Sequence, residues 1–166
     1  MLCVFYRLPK RLKPRYVDSI ITSPSDGKIL KISETDDGYY KIAIYLSPLD
    51  VHIQWYPVDG IIKNTLYKKG VFNLAYVLEK SDYNERMSTI IQSNKGVVRV
   101  DQIAGQVARR IVNWSISNSY VKRGNLMGMI KLSSRVDIYL PKNKVKLFVN
   151  ENDRVTGKLS AIAQWI

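Results

Sequence analysis

One cysteine, Cys3, and one histidine, His52, are all that 166 residues contain of either type. A lone cysteine leaves no intrachain disulfide, so nothing in the chain asks for an oxidising compartment. Two Cys or His residues fall short of the four ligands of a structural zinc site, and no metal is expected. Any chemistry that needs an imidazole must use His52. Long apolar runs are missing too. No stretch approaches the ~20 residues of a membrane-spanning helix. The opening MLCVFY is short and lacks the basic region and small-residue cleavage site of a signal peptide. Acidic residues are scarce: 14 Asp and Glu face 26 Lys and Arg, for a net charge of +12. That excess implies an anionic partner, with phosphate-rich nucleic acid and anionic lipid head groups both open. The length fits one domain, and 46% hydrophobic with 24% charged residues is the make-up of a folded chain with a real core.

Residues 1–19 read as a separate arm. Arg7, Lys10, Arg11, Lys13 and Arg15 crowd together, and Pro9 and Pro14 block a regular helix. The cluster reads either as a solvated basic arm or as a surface anchor. In the second reading Leu2, Val4, Phe5 and Tyr6 dip into a bilayer interface while each cation gains about 1 kcal/mol near an anionic leaflet. Residues 20–166 read as one mainly β domain of barrel-sandwich character with few short helices. Candidate strands are 27–34, 39–46, 60–67, 88–92, 96–103, 109–114, 127–132, 135–140, 144–149 and 158–164. They are short, rich in Ile, Val and Tyr, and punctuated by Gly, Asn, Asp and Pro. Helical turns are expected near Ser47–Asp50 and Ser81–Glu85, where serine precedes acidic residues.

Several turns carry more specification than a turn needs. Ser23-Pro24-Ser25-Asp26-Gly27 is a tight entry into a strand. Tyr45-Leu46-Ser47-Pro48-Leu49-Asp50-Val51-His52 places the one histidine just past a turn. Ile103-Ala104-Gly105-Gln106-Val107-Ala108-Arg109-Arg110 ends a strand on a basic pair, and Ser133-Ser134-Arg135-Val136-Asp137-Ile138-Tyr139-Leu140-Pro141 comes later. Taken singly, each reads as an ordinary turn or strand end.

Together and in this order they resemble the phosphatidylserine decarboxylase family, in its short branch, over most of the chain. The resemblance implies an enzyme that converts phosphatidylserine to phosphatidylethanolamine with a covalent pyruvoyl group made from its own serine. It aligns Ser134 with that serine and puts the self-cleavage between Ser133 and Ser134, leaving a β chain and an α chain. The ketone so formed serves as the electron sink. Asp26 matches the family's aspartate beside the processing site and is expected to orient or activate the base. His52 matches the histidine of Ser-Pro-x-Asp-x-His and is expected to serve processing, reprotonation of the carbanion, or both. Trp55 stands where longer members carry a second histidine. Ser133 stands where the family has glycine, whose freedom at strained backbone angles aids attack on its own carbonyl.

The expected partners are phosphatidylserine, an anionic membrane surface, the chain's own two products and a second copy of itself as a homo-oligomer. The expected place is the membrane periphery on the cytoplasmic, reducing face. Two other readings stand beside this one. A processing-defective relative would bind lipid without catalysis. A basic β-barrel would bind nucleic acid through its 11 Tyr and 3 Trp. The ordered motifs account for more residues than charge does, so no nucleic-acid partner is expected.

Overall fold

Apolar residues alternate most cleanly in Ile42-Ile44-Leu46, Val98-Val100 and Val136-Ile138-Leu140. These segments become neighbouring strands whose apolar sides share one buried core. The computed structural model describes residues 7–106, 110–131 and 133–166. Its strands, in chain order, are β1 (Ile20–Thr22), β2 (Gly27–Glu34), β3 (Tyr39–Leu46), β4 (Ile53–Trp55), β5 (Gly60–Lys68), β6 (Arg86–Gln92) and β7 (Val97–Ile103). After these come β8 (Ile111–Asn113), β9 (Tyr120–Val121), β10 (Leu126–Ile130), β11 (Ser134–Pro141), β12 (Val145–Leu147), β13 (Arg154–Val155) and β14 (Ala161–Trp165). One short helix, α1 (Leu78–Ser81), and a 3-10 turn at Lys142–Lys144 complete the described elements.

Eight strands form a curled sheet in the order β13-β2-β3-β11-β7-β6-β5-β9. Two three-stranded sheets, β1-β14-β12 and β4-β10-β8, pack with it. The mainly β architecture expected from the sequence is therefore the one observed. At the centre, β11 runs antiparallel to β3 from Ser134↔Leu46 to Pro141↔Tyr39, and to β7 from Arg135↔Ile103 to Tyr139↔Arg99. Even-numbered residues of β11 and β3 face the core. A one-residue slip would turn every one of them outward, so the core pins the register.

The opposite face of these strands is charged yet largely covered. Arg135 is fully buried and holds Asp137 through two 2.9 Å bonds and Asp82 through one of 2.6 Å. It also donates to the Ser81 hydroxyl and, at 3.4 Å, to the Leu78 carbonyl. Both belong to a strap, residues 70–85, that crosses the outer face of the sheet. Lys41 adds ion pairs to Asp82 at 3.4 Å and Asp137 at 3.5 Å. Tyr45 meets Tyr76 of the strap edge-on at 5.8 Å.

Some boundaries differ from those read in the sequence. The helix ends at Ser81 rather than beginning there, because the Ser81 hydroxyl bonds back to the Ala75 and Leu78 carbonyls instead of capping forward. Ser47–Asp50 is a turn, closed by Asp50 N–H on the Ser47 carbonyl at 3.0 Å. The strand expected over 158–164 starts only at Ala161. Residues 156–160 close on themselves, with Ser160 N–H on the Thr156 carbonyl at 2.9 Å and Lys158 at φ +70°. The strand expected from 109 begins at Ile111, Arg109 lying outside the described residues. Arg11 of the basic arm is not solvated. It grips Asp26, while Tyr16 donates to the Leu159 carbonyl at 2.9 Å.

Removing Arg135 leaves the fully buried Asp137 with Lys41, at 3.5 Å, as its one ion-pair partner among the described residues, and unties Asp82 of the strap from β11. In an uncleavable Ser134→Ala background, Arg135→Ala is expected to cost about 3 kcal/mol in urea unfolding. Lys142→Ala, which removes an exposed pair with Glu34, leaves the midpoint unchanged.

Candidate active site

The site forms where the chain passes from the large sheet to the small one. Leu46 ends β3 opposite Ser134, the first residue of β11. Six residues on, the His52 carbonyl accepts the Ile130 N–H at 3.1 Å, at the end of β10. The Leu46–Ser134 pair and the Ile130–His52 hydrogen bond thus tie the two ends of the 47–51 crossing to β11 and to β10. The 47–50 turn is fixed by the Asp50 carboxylate, which accepts from Ser47 N–H at 2.8 Å and pairs with Arg154.

His52 is fully buried. Its Nδ1 lies 2.8 Å from the Asp50 carbonyl oxygen. A carbonyl only accepts, so Nδ1 carries the proton and Nε2 keeps its lone pair, the tautomer of a general base. Burial pushes the imidazole below its ordinary pKa of 6.5, against the upward pull of the Asp50 carbonyl and the Asp50 and Asp26 charges. The ring is thus neutral at pH 7.

Ser134 faces the core, in line with Val136 and Ile138. Its Oγ is buried and has no hydrogen-bond partner among the described residues. Buried hydroxyls are usually paired; Ser134 shares the unpaired state with Thr22 and Ser25 among the described residues. The His52–Ser134 hydrogen bond is accordingly not made in this conformation. The preceding residue, Ser133, sits at φ +50°, the left-handed region that costs an L-residue about 1–2 kcal/mol. The glycine-like geometry expected at this bond is present without the glycine.

Asp26 lies at the mouth of the same region, one residue before Gly27, whose missing Cβ lets β2 approach the Tyr45 carbonyl. Both Asp26 oxygens are held by Arg11, at 2.6 and 2.7 Å, and Oδ1 also accepts from Gly157 N–H at 2.8 Å. Asp26 therefore acts on His52 through charge, while the Asp50 carbonyl orients the ring. Trp55 is a buried wall, with the Arg11 guanidinium 4.9 Å above its ring.

Other residues, assigned no role from the sequence, support the His52 strand. Gln54 Nε2 donates to the His52 carbonyl at 2.9 Å, and its Oε1 accepts from Gln102 Nε2 at 2.8 Å. Gln102 Oε1 accepts from Asn113 Nδ2 at 2.8 Å, which also reaches the Thr89 hydroxyl at 2.9 Å. This buried amide chain locks the His52 strand to the inner face of β7. Among the described residues, no group of Asp, Glu, Cys and His is placed to hold a metal ion.

The strain at Ser133 is measurable. In the Ser134→Ala background, Ser133→Gly is expected to raise stability by about 1 kcal/mol, because glycine removes the left-handed penalty. Thermal unfolding checks it, and an unchanged or lower Tm would contradict the strain.

The family model described as phosphatidylserine decarboxylase matches residues 1–162. A phosphatidylserine decarboxylase proenzyme of Bacteroides thetaiotaomicron is 40% identical over 96% of this chain and 73% of its own length. The proenzyme of the same name from Carboxydothermus hydrogenoformans is 39% identical over 96% of this chain and 78% of its own. That of Ehrlichia canis is 43% identical over 85% of this chain and 66% of its own. With its ordered motifs matched along nearly its whole length, the chain belongs to the phosphatidylserine decarboxylase family.

Proposed function

We propose that this chain is a proenzyme that cleaves itself between Ser133 and Ser134 and then decarboxylates phosphatidylserine to phosphatidylethanolamine. The observation that carries this reading is the Ser134 Oγ, buried without a hydrogen-bond partner directly after a residue at positive φ. Relatives that cover nearly the same residues bear the name proenzyme, which supports it.

In the cleavage, His52 Nε2 accepts the Ser134 hydroxyl proton as Oγ bonds to the Ser133 carbonyl carbon. The Ser133–Ser134 C–N bond breaks, its nitrogen takes the proton, and an ester joins the two residues. Loss of the Ser134 Cα proton expels the Ser133 carboxylate and separates segments 1–133 and 134–166. Residue 134, now dehydroalanine, tautomerises and takes up water with release of ammonia. Position 134 suits the pyruvoyl group that this leaves. It heads a central strand, its side chain is enclosed, and no hydrogen bond from the described residues holds it. Such a group supplies a ketone that draws electrons from the carboxylate-bearing carbon of an amine substrate. His52, the chain's one imidazole and buried, is assigned the proton transfers, and the Asp26 charge favours its protonated ring.

The substrate reading includes a membrane surface. Leu49 is 78% exposed on the turn between Leu46 and His52, and Tyr76 and Leu74 of the strap are exposed as well. The net charge of +12 favours an anionic leaflet. The arm, residues 1–19, and the peripheral cytoplasmic location belong to this reading. No helix among the described residues is long and apolar enough to cross a membrane.

The test is decarboxylation of phosphatidylserine vesicles, monitored as phosphatidylethanolamine formed. The wild-type chain is active, Ser134→Ala is uncleaved and inactive, and His52→Ala cleaves about 10²–10⁴-fold more slowly. The wild-type cleavage rate is level from pH 7 to 9 and falls tenfold per unit once pH drops below the depressed His52 pKa. Product formation by Ser134→Ala, or a rate still climbing at pH 9, contradicts the assignment.

A further inference from the structure

The β11–β7 ladder ends at Arg135↔Ile103. Continued by two residues, the same register sets Ser133 opposite Gly105. A Cβ built on Gly105 would overlap the Ser133 carbonyl oxygen, and would lie 2.9 Å from its carbon and 3.3 Å from the Ala75 methyl of the strap. Gly105 is thus wedged between the strap and the carbonyl of the bond before Ser134, and any side chain there must displace one of them.

The wedge is anchored from behind. Ala104 N–H donates to the Glu85 carbonyl at 2.9 Å, and the Ala104 carbonyl accepts from Asn84 Nδ2 at 2.7 Å. Asn84 is buried, and it also clasps Asn73 in both directions at 2.8 Å. The strap itself is closed by Glu85 N–H on the Val71 carbonyl and Val71 N–H on the Tyr83 carbonyl. Three layers, Asn84, the Ala104–Gly105 backbone and the Ser133 carbonyl, stack in order.

We propose that Gly105 and Asn84 are positioning residues for the self-cleavage: Asn84 fixes Ala104, and the bare Gly105 Cα sets where the Ser133 carbonyl lies when Ser134 Oγ attacks it. This rests on the 133–134 bond being the one cleaved. The contact acts before the ester exists, since it bears on the carbonyl while the amide is intact. A Cβ on Gly105 cannot be accommodated without moving that oxygen or the strap. A misplacement of about 1 Å at a reacting atom costs about 100-fold in rate.

The experiment monitors cleavage of purified full-length chain on denaturing gels, with and without neutral hydroxylamine, which opens esters and leaves amides. Gly105→Ala is expected to cleave about 100-fold more slowly and to yield no hydroxylamine-sensitive ester. Asn84→Ala slows by a smaller factor, also without ester. Adding Ser133→Gly to Gly105→Ala restores part of the rate, because the carbonyl can then turn away from the new methyl. Thermal melting of each variant in the Ser134→Ala background separates misfolding from misplacement. Should Gly105→Ala not fold, Asn84→Ala with its ester assay decides the matter. Wild-type rates in the folded variants, or an ester that accumulates in them, overturn the inference alone, as does a slow Gly105→Ala that Ser133→Gly does not rescue. A wild-type chain that never cleaves overturns both the inference and the functional reading beneath it.

Discussion

Antiparallel pairing of β11 with β3 is the constraint on which the site depends. Eight consecutive register pairs, from Ser134↔Leu46 to Pro141↔Tyr39, set the first residue of β11 facing the core. β7 holds the same strand from its other side. The chain can leave this ladder only by an abrupt turn, and the turn falls on Ser133 at φ +50°. A rigid strand start and a strained residue before it meet at one peptide bond. Strain of this kind persists only where the surroundings over-determine it. The ladder, the Gly105 contact and the His52–Ile130 hydrogen bond supply that over-determination.

The same pairing would hold the two segments together after the proposed cleavage. Residues 134–166 contribute β11 to the centre of the large sheet, β13 to its edge beside β2, and both β12 and β14 to the sheet that includes β1. Separating the two segments would expose the shared core of Ile42, Ile44, Val98, Val100, Val136 and Ile138. Each such side chain contributes about 1.5–3 kcal/mol when buried. Arg135 adds a polar lock on the other face, one residue past the reactive position. The new terminus would be gripped from both sides of the sheet, which would keep position 134 in register with Leu46.

Much of this was legible in the residues and some was not. The long strands announced themselves through alternation, as in Ile42-Ile44-Leu46. The short ones, β1, β4, β9 and β13, did not, since two or three residues carry no period and their pairing is decided by tertiary contacts. Arg135 and Asp137 alternate with apolar neighbours, and nothing local shows that they are buried, because the strap that covers them is distant in sequence. His52 could be selected because it has no rival, and Ser134 through its family motif. Gln54 looks like an ordinary strand residue, and Gly105 stands in the Ile103–Arg110 motif without a role that the motif reveals. Their importance lies in which carbonyl each one meets, and that is fixed only when segments distant in the chain come together. Asp26 illustrates the converse. Its place in a motif was readable, whereas its clasp by Arg11 was not, because neither reading of the basic arm, solvated or membrane-anchoring, folds it back onto the domain.

The most direct measurement is the intact mass of the purified chain under denaturing conditions. Two species are expected, residues 1–133 and residues 134–166, with the second lighter than its encoded mass by the change from an amino-terminal serine to a pyruvoyl cap. A single full-length chain that persists after prolonged incubation at pH 7, with Ser134 unchanged, would contradict self-cleavage at this bond.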